Sequence, residues 1–349
     1  MNILFGVQAT GNGHISRSRE LVKALKRNGH EVFVLFSGRD PDKLWDVEAF
    51  EPYRACTGMT FAVKRGKVKY LATLAQLHPL TFYRDITGFN AERFDLCITD
   101  FEPVSARIAR RYNIPSIGIG HQYAFKYPIP LARRDPMAMF ILKHFAPAVY
   151  SIGLHWHHFS YPILPPIIPT MHTNGDAPGK GKILVYLPFE DPDEVQNLLR
   201  PFSDHHFYYY TATPHSVDED NLHLRPFSRE GFLHDLITCE GVLSNSGFEL
   251  ASEALHLGKK LLVRPLAGQL EQESNALALE RLRLGTVMHR LDAQILRTWL
   301  YSPPGRPVHY PDVARHIAAW IGTGLWNTSD KLVQEVWSQV DMHSFSVSF

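Results

Sequence analysis

The fold is decided by "NILFGVQATGNGHISRSRELVKALKRNGHEVFVLFS" (2–37), which contains one strand–helix–strand unit. The apolar run 2–7 predicts a buried strand, and 31–37 predicts the next one. Between them, 16–29 has the apolar spacing of an amphipathic helix, which ends at Gly29. Because two strands joined by a helix run in the same direction, the unit predicts a parallel α/β sheet.

The same pattern recurs along the chain. Residues 94–120 contain a strand, a helix and a second strand, and the pattern restarts at "KILVYLP" (182–188) after a proline-rich stretch. We therefore predict two Rossmann-like βαβ domains that face each other across a cleft. The predicted parts are a first domain (1–160), a linker (161–181), a second domain (182–325) and a C-terminal helix that packs back on the first domain (326–349).

Composition narrows the class of protein. The chain has 349 residues, 45% of them hydrophobic, which is enough for two cores. Because 36 Lys and Arg nearly balance 35 Asp and Glu, we expect no nucleic-acid partner. Cys56, Cys97 and Cys239 lack the spacing of a zinc site or of a disulfide framework. With neither a signal peptide nor a membrane-spanning apolar run, the sequence favours a cytoplasmic location.

Two glycines and a histidine follow the first predicted strand. Gly11 and Gly13 allow the main chain to turn and to approach a ligand closely, and Ser16 is the expected N-cap of the helix. Histidine suits proton transfer near neutral pH, so His14 is a candidate base facing the cleft. The loop lacks the third glycine of the dinucleotide-binding fingerprint. The alternative to a catalytic role is that His14 only shapes the turn between the strand and the helix.

A second stretch, "GVLSNSGFELASEALHLGKKLLVRPLAGQLEQESNALALERLRLG" (241–285), combines Ser-Gly, a glutamate six residues later and Glu-Gln-x-x-Asn-Ala. It resembles the donor-binding region of the GT-B glycosyltransferases, both the UDP-glycosyltransferases and the peptidoglycan GlcNAc transferase that makes lipid II. "GNGHISR" (11–17) resembles their glycine-histidine loop, and the whole chain is similar to a GNGH-type bacterial and archaeal branch. The resemblance implies a GT-B fold, with the acceptor bound by the first domain and a nucleotide sugar by the second.

The resemblance also implies which residues bind the donor. Glu253 matches the ribose-binding glutamate, and Glu271 and Gln272 match the pair that holds the sugar hydroxyls. Phe227 lies where the family binds the nucleobase of the donor, mainly through the backbone. The alternative is that Phe227 belongs to the core. A helix that begins near Phe248 would point its amides at the diphosphate. The other implied donor-binding residues are Gly11, Gly13, Asn245, Ser246, Gly247, Phe248, Glu249, Gln269 and Asn275.

The chain differs from the plant UDP-glycosyltransferases at the residues expected to contact the diphosphate. Asn245 stands where they carry a phosphate-binding histidine, and Leu250 stands where they carry a serine. Glu249 places a carboxylate near the expected phosphate, which it repels unless the side chain turns towards sugar hydroxyls or solvent.

On the acceptor side, the resemblance implies that His14 is the general base and that Asp100 stands behind it. Asp100 ends "FDLCITD" (94–100), and its alternative role is a helix cap before Pro103. His121 and Gln122 follow the strand "SIGIG" and are candidates for contact with the acceptor.

Local composition also bears on whether the protein binds a metal or contacts a membrane. Three Asp-x-Asp pairs begin at Asp40, Asp191 and Asp218, in polar stretches that we interpret as solvated loops, so we expect catalysis without a metal or other cofactor. Basic and apolar residues mix in 60–85 and 130–150, which is typical of a surface that meets anionic lipids and also of a buried helix with charged flanks.

Together these features predict an inverting glycosyltransferase. It would move a sugar from a nucleoside diphosphate to the hydroxyl of a glycan, a lipid-linked or a small acceptor, and the resemblance implies that the nucleotide is UDP. A sugar-nucleotide epimerase similar to the UDP-GlcNAc 2-epimerases is one alternative. A regulator that binds a nucleotide sugar without catalysis is the other.

Overall fold

The computed structural model of the chain describes residues 1–44, 47–58, 63–64, 67–68, 79–171 and 179–341. Most of the basic and apolar stretch 60–85 lies outside these residues, as do part of the predicted linker and the last eight residues of the predicted C-terminal helix. The described part of the chain forms two seven-stranded sheets and one two-stranded ribbon.

The first sheet contains only parallel pairs. Its strands are β1 (Asn2–Gln8), β2 (Glu31–Ser37), β3 (Tyr53–Ala55), β6 (Leu96–Asp100), β7 (Ser116–Gly120), β8 (Tyr150–Leu154) and β9 (Ile163–Leu164), in the order β3-β2-β1-β6-β7-β8-β9. The ribbon pairs β4 (Val63–Lys64) with β5 (Lys67–Val68). The helices around this sheet are α1 (Asn12–Arg27), α2 (Pro79–Thr87), α3 (Pro103–Arg111) and α4 (Pro136–His144).

Strand β1 lies inside the first sheet, between β2 and β6, and it is apolar on both faces. Ile3 and Phe5 belong to the core cluster that contains Leu21 of α1, and Leu4 belongs to the cluster with Ile108 of α3. Helices therefore cover both sides of β1, which is the layering that parallel sheets require. The predicted strand–helix–strand unit is confirmed.

The second sheet repeats this plan. Its strands are β10 (Lys182–Tyr186), β11 (His206–Tyr210), β12 (Val217–Glu219), β13 (Leu222–Arg225), β14 (Gly241–Asn245), β15 (Lys260–Arg264) and β16 (Thr286–Val287), in the order β12-β13-β11-β10-β14-β15-β16 with β12 alone antiparallel. The helices are α5 (Pro192–Leu199), α6 (Arg229–Thr238), α7 (Phe248–His256), α8 (Leu270–Arg281), α9 (Ala293–Leu300), α10 (Val313–Gly322) and α11 (Asp330–Trp337).

Two details of the first half differ from the sequence-based expectations. Helix α1 begins at Asn12 with Gly11 as its N-cap, so Ser16 lies inside the helix and is not the cap. The first sheet includes β9, within the predicted linker.

The chain also returns to the first half earlier than expected, because α10 packs against α1, and Val313 and Ile317 share its core cluster. Helix α11 then contacts β9, where Trp337 Nε1 donates to the Ile163 carbonyl at 2.7 Å. No helix in the described ranges is long and apolar enough to span a membrane.

Candidate active site

Two helix N-termini face each other between the halves of the chain. Helix α1 follows β1 and α7 follows β14, so both begin at the carboxyl end of a parallel strand. Among the described residues, no side chain caps the first turn of either helix, and their leading amides are available to an anion.

The two glycine positions explain how close the helices come. A Cβ on Gly13 would lie 2.7 Å from Glu249 Oε2, so the missing side chain lets α1 approach α7. A Cβ on Gly247, the N-cap of α7, would meet nothing within 4 Å. Gly13 therefore serves the contact between the halves, whereas Gly247 faces open space.

His14 and Asp100 lie within hydrogen-bond distance of each other at the carboxyl ends of the strands of the first sheet. His14 Nδ1 lies 2.9 Å from Asp100 Oδ1, and Ser18 Oγ donates to Asp100 Oδ2 at 2.8 Å. Asp100 ends β6 and is only 2% exposed. Burial by itself would raise the pKa of Asp100, but the charges and hydrogen bonds of Arg17 and His14 outweigh it and lower the pKa to about 2.

Arg17 is the residue that sequence reasoning did not single out. It is 3% exposed, and its guanidinium donates to Asp100 through both Nε (2.8 Å, to Oδ2) and NH2, and through NH1 to Glu249. Burial disfavours the charged guanidinium, but the two carboxylates outweigh that effect and raise the pKa of Arg17. The signal in the sequence is its position one helical turn after His14, which places both side chains on one face of α1.

Glu249 turns towards Arg17. The ion pair joins α7 of the second half to α1 of the first, and it neutralises the carboxylate that was expected to repel a phosphate. The structure thus offers a third orientation for this side chain, beyond the sugar hydroxyls and solvent.

Glu253 lies one turn further along α7, at a pocket between the two halves. Its side chain accepts from Ser16 Oγ at 3.3 Å and is buried. Burial and the neighbouring Glu249 raise the pKa of Glu253 to about 7. The pocket is also lined by Tyr186 and by Phe227, whose ring is half exposed and packs edge-on against Tyr186 at 6.2 Å. A carboxyl group and an aromatic wall therefore share one pocket.

The side chains of His121 and of two predicted donor residues, Phe248 and Asn275, are buried inside the protein. The His121 ring is fully buried and stacks on Phe248 at 4.1 Å, with its Nδ1 2.8 Å from the Leu154 carbonyl and its Nε2 2.7 Å from Asn275 Oδ1. Asn275 Nδ2 in turn donates to the Ser246 carbonyl at 3.0 Å. The side chains of His121, Phe248 and Asn275 therefore make contacts inside the protein, while the donor role predicted for Phe248 concerns its backbone amide and stays a prediction.

Gln122 connects Arg17 to Glu271, the predicted sugar contact. Its Nε2 donates to both oxygens of Glu271, at 3.1 and 3.2 Å, and its Oε1 lies 3.3 Å from Arg17 NH2. Glu271 is the first acidic residue of α8. The structure therefore brings Gln122 and Glu271 together with the His14 pair.

The remaining predicted donor residues support the turns around α7 and α8. Gln272 Oε1 accepts from the Leu266 amide at 2.9 Å, and Ser246 Oγ donates to the Gln272 carbonyl at 2.7 Å. Asn245 Nδ2 donates to the Arg264 carbonyl at 2.9 Å. Gln269 is the N-cap of α8, and its buried Oε1 has no hydrogen-bond partner among the described residues.

The Asp-x-Asp pairs have local roles where their contacts are known. Asp191 caps α5, and Asp218 pairs with His223 and Arg225. No group of three or more His, Cys, Asp or Glu suited to a metal occurs in the described part of the chain.

Comparison with known proteins gives the family. The family described as glycosyl transferase family 1 matches residues 1–304. The chain belongs to that family. The prediction of a glycosyltransferase is thereby confirmed, and no protein of curated function shows significant sequence similarity to the chain.

Solved structures agree on the fold. SnogD from Streptomyces nogalater is 17% identical, with a TM-score of 0.54 and coverage of 97% of this chain and 95% of that one. LpCGTa, solved with UDP, is 15% identical, with a TM-score of 0.58 and 99% of both chains covered. SsfS6 from Streptomyces sp. SF2575, solved with thymidine diphosphate, is 15% identical, with a TM-score of 0.56 and 97% and 99% covered. The predicted GT-B fold is confirmed.

Proposed function

We propose that this glycosyltransferase moves a sugar from a UDP-sugar to an acceptor hydroxyl, with inversion at the anomeric carbon and His14 as the general base. The observation that supports it most is the distance of 2.9 Å between His14 Nδ1 and Asp100 Oδ1, opposite the uncapped N-terminus of α7. This arrangement supports a base on one side of the cleft and an anion site on the other.

The donor would lie along α7. Its nucleoside would occupy the pocket between Phe227 and Glu253, with the ribose hydroxyls on the Glu253 carboxylate. The diphosphate would accept from the amides at Gly247, where the structure leaves open space, and the sugar would reach Glu271. That LpCGTa and SsfS6 were solved with UDP and thymidine diphosphate supports a pyrimidine nucleoside diphosphate.

The reaction needs a proton acceptor and a stabilised leaving group. As the acceptor oxygen attacks the anomeric carbon, His14 Nε2 takes its proton and the bond from that carbon to the diphosphate oxygen breaks. Asp100, held ionised by Arg17, accepts from His14 Nδ1 and stabilises the imidazolium that forms. The amides of α7 stabilise the charge on the departing UDP, so we propose that no metal is required.

Product analysis tests this function. Incubation with UDP-GlcNAc and with other UDP- and dTDP-sugars, screened first by thermal shift, should reveal a donor that stabilises the protein. A transferase releases UDP when an acceptor or water attacks, and an epimerase changes the sugar nucleotide without releasing UDP. A protein that binds the donor and does neither would contradict the proposal.

We also propose that an anionic membrane surface meets α2 and α4. Leu80, Tyr83, Met137 and Phe140 on these helices are 60% exposed or more. Arg107 joins the two helices, since it donates to the Phe145 carbonyl at 2.8 Å and its guanidinium lies 6.0 Å from the centre of the Phe82 ring. Sedimentation with phosphatidylglycerol vesicles should be lost in Leu80→Ser/Phe140→Ser, whereas equal sedimentation of both proteins would contradict this contact.

A further inference from the structure

Arg17 NH2 has more acceptors around it than hydrogens to donate. The nitrogen lies 2.7 Å from His14 Nδ1 and 3.3 Å from Gln122 Oε1, and it also contacts Asp100 Oδ1. It carries two hydrogens. Because the charged carboxylate of Asp100 takes one of them, the second goes either to His14 or to Gln122.

That choice decides the tautomer of His14. A guanidinium can only donate and an ionised carboxylate can only accept, and both lie within hydrogen-bond distance of Nδ1. When Arg17 donates to Nδ1, the proton of the neutral ring is on Nε2, which then cannot take a proton from an acceptor. When Nδ1 carries the proton and donates to Asp100, Nε2 is free to act as a base.

We propose that Arg17 is a positioning residue that holds His14 in the inactive tautomer until the diphosphate of a donor draws its guanidinium towards α7. This inference rests on the proposed function, in which His14 is the base and the diphosphate lies at α7. The guanidinium already spans that distance, since its NH2 lies at His14 and its NH1 at Glu249 in the first turn of α7.

A diphosphate supplies the force that this shift needs. It brings more negative charge to the N-terminus of α7 than the single carboxylate of Glu249, and it attracts the guanidinium accordingly. Gln122 can receive the released hydrogen because its Nε2 is held by Glu271, which leaves Oε1 facing Arg17. The base therefore becomes active only after the donor has bound, and the acceptor loses its proton only when a sugar is in place to receive it.

The tautomer can be read directly. In protein labelled with ¹⁵N-histidine, at about pH 8 where an ordinary imidazole is neutral, the signals of His14 are assigned by their loss in His14→Gln. Addition of UDP should move Nδ1 from the shift of an accepting nitrogen to that of a protonated one. Calorimetry on the same samples shows whether UDP has bound.

Two variants should shift the equilibrium in opposite directions. Arg17→Lys lacks the fork that reaches Nδ1 and Asp100 together, so it should show the active tautomer without UDP. Gln122→Leu removes the alternative acceptor, so it should keep the inactive tautomer even with UDP bound. Ser18→Ala is the matched control, because it removes one hydrogen bond to Asp100 without touching Nδ1, and it should respond to UDP as the unmodified protein does.

The outcomes separate this inference from the function on which it rests. If UDP binds and the tautomer of His14 does not change, or if Gln122→Leu responds as the unmodified protein does, the role of Arg17 is wrong and the proposed function stands. If neither UDP nor dTDP binds, the proposed donor is wrong and the switch fails with it.

Discussion

Arg17 on α1 and Glu249 on α7 form a partly buried ion pair that joins the two halves of the chain. The pair depends on the close approach of the helices at Gly13, where a side chain would meet Glu249. It lies between the His14–Asp100 pair and the N-terminus of α7, so the contact that fixes the two halves also arranges the charges of the cleft.

Gly13 and Gly247 should therefore respond differently to alanine. In Gly13→Ala the new Cβ displaces the Glu249 side chain and weakens its pair with Arg17, which should cost about 1–3 kcal/mol of unfolding free energy. Gly247→Ala has room for its Cβ and should cost less than about 1 kcal/mol as an N-cap change. The added Cβ would enter the space proposed for the diphosphate, so the affinity of this variant for UDP should fall. Thermal unfolding and UDP calorimetry of both variants check this, and unchanged UDP binding in Gly247→Ala would count against that position of the diphosphate.

Glu253 should make stability depend on pH. Its pKa is raised from the ordinary 4.5 to about 7, so the folded state holds a proton that the unfolded state releases. The resulting stabilisation is complete below pH 4.5 and is lost as pH rises through 7, a change on the order of 3 kcal/mol. Glu253→Gln, neutral at every pH, should gain stability relative to the unmodified protein between pH 5 and pH 8.

Urea unfolding across that range gives the difference. Glu280→Gln is the matched control, because Glu280 is exposed on α8. A parallel pH dependence in the unmodified protein and in Glu253→Gln would contradict the burial of a protonated carboxyl group.

Glu253→Ala should weaken donor binding. At about pH 8, above the pKa of about 7, the carboxyl group is ionised and the change removes up to two charge-assisted hydrogen bonds to ribose, each worth roughly 1.5–3 kcal/mol, so the Kd for UDP should rise at least ~10-fold. Unchanged UDP binding in a folded Glu253→Ala protein would refute the ribose contact.

Turnover should survive chelation of metals. The uncapped first turn of α7 supplies positive potential at the expected leaving group. Activity measured in EDTA should equal that in its absence. Complete loss in EDTA, with recovery on addition of Mn²⁺, would overturn this prediction.

The sequence predicts elements whose signals are local, and it misses contacts made across the molecule. Strand β14 (Gly241–Asn245) has its predicted bounds because an apolar run lies between a glycine and a polar turn. Strand β9 has only two residues in a proline-rich stretch, and a run that short shows no periodicity. The pairing of Arg17 with Glu249, 232 residues apart, depends on how two helices meet, which no local pattern specifies.

The His14–Asp100 pair leads to the last prediction. Asparagine has the shape of aspartate but not its charge. Asp100→Asn should therefore leave the geometry of the pair close to native while removing the stabilisation of the imidazolium. His14→Ala removes the base itself. Both variants should lose ~10²-fold or more in turnover with the true acceptor, while UDP binding changes little.

Asp100→Asn also removes a buried carboxylate whose pKa is lowered to about 2. The variant should therefore lack the stability that the unmodified protein loses as pH falls from 3.8 through 2. Ser18→Ala, which keeps the charge of Asp100, should retain most of the turnover. Native turnover in His14→Ala would show that His14 only shapes the turn between β1 and α1.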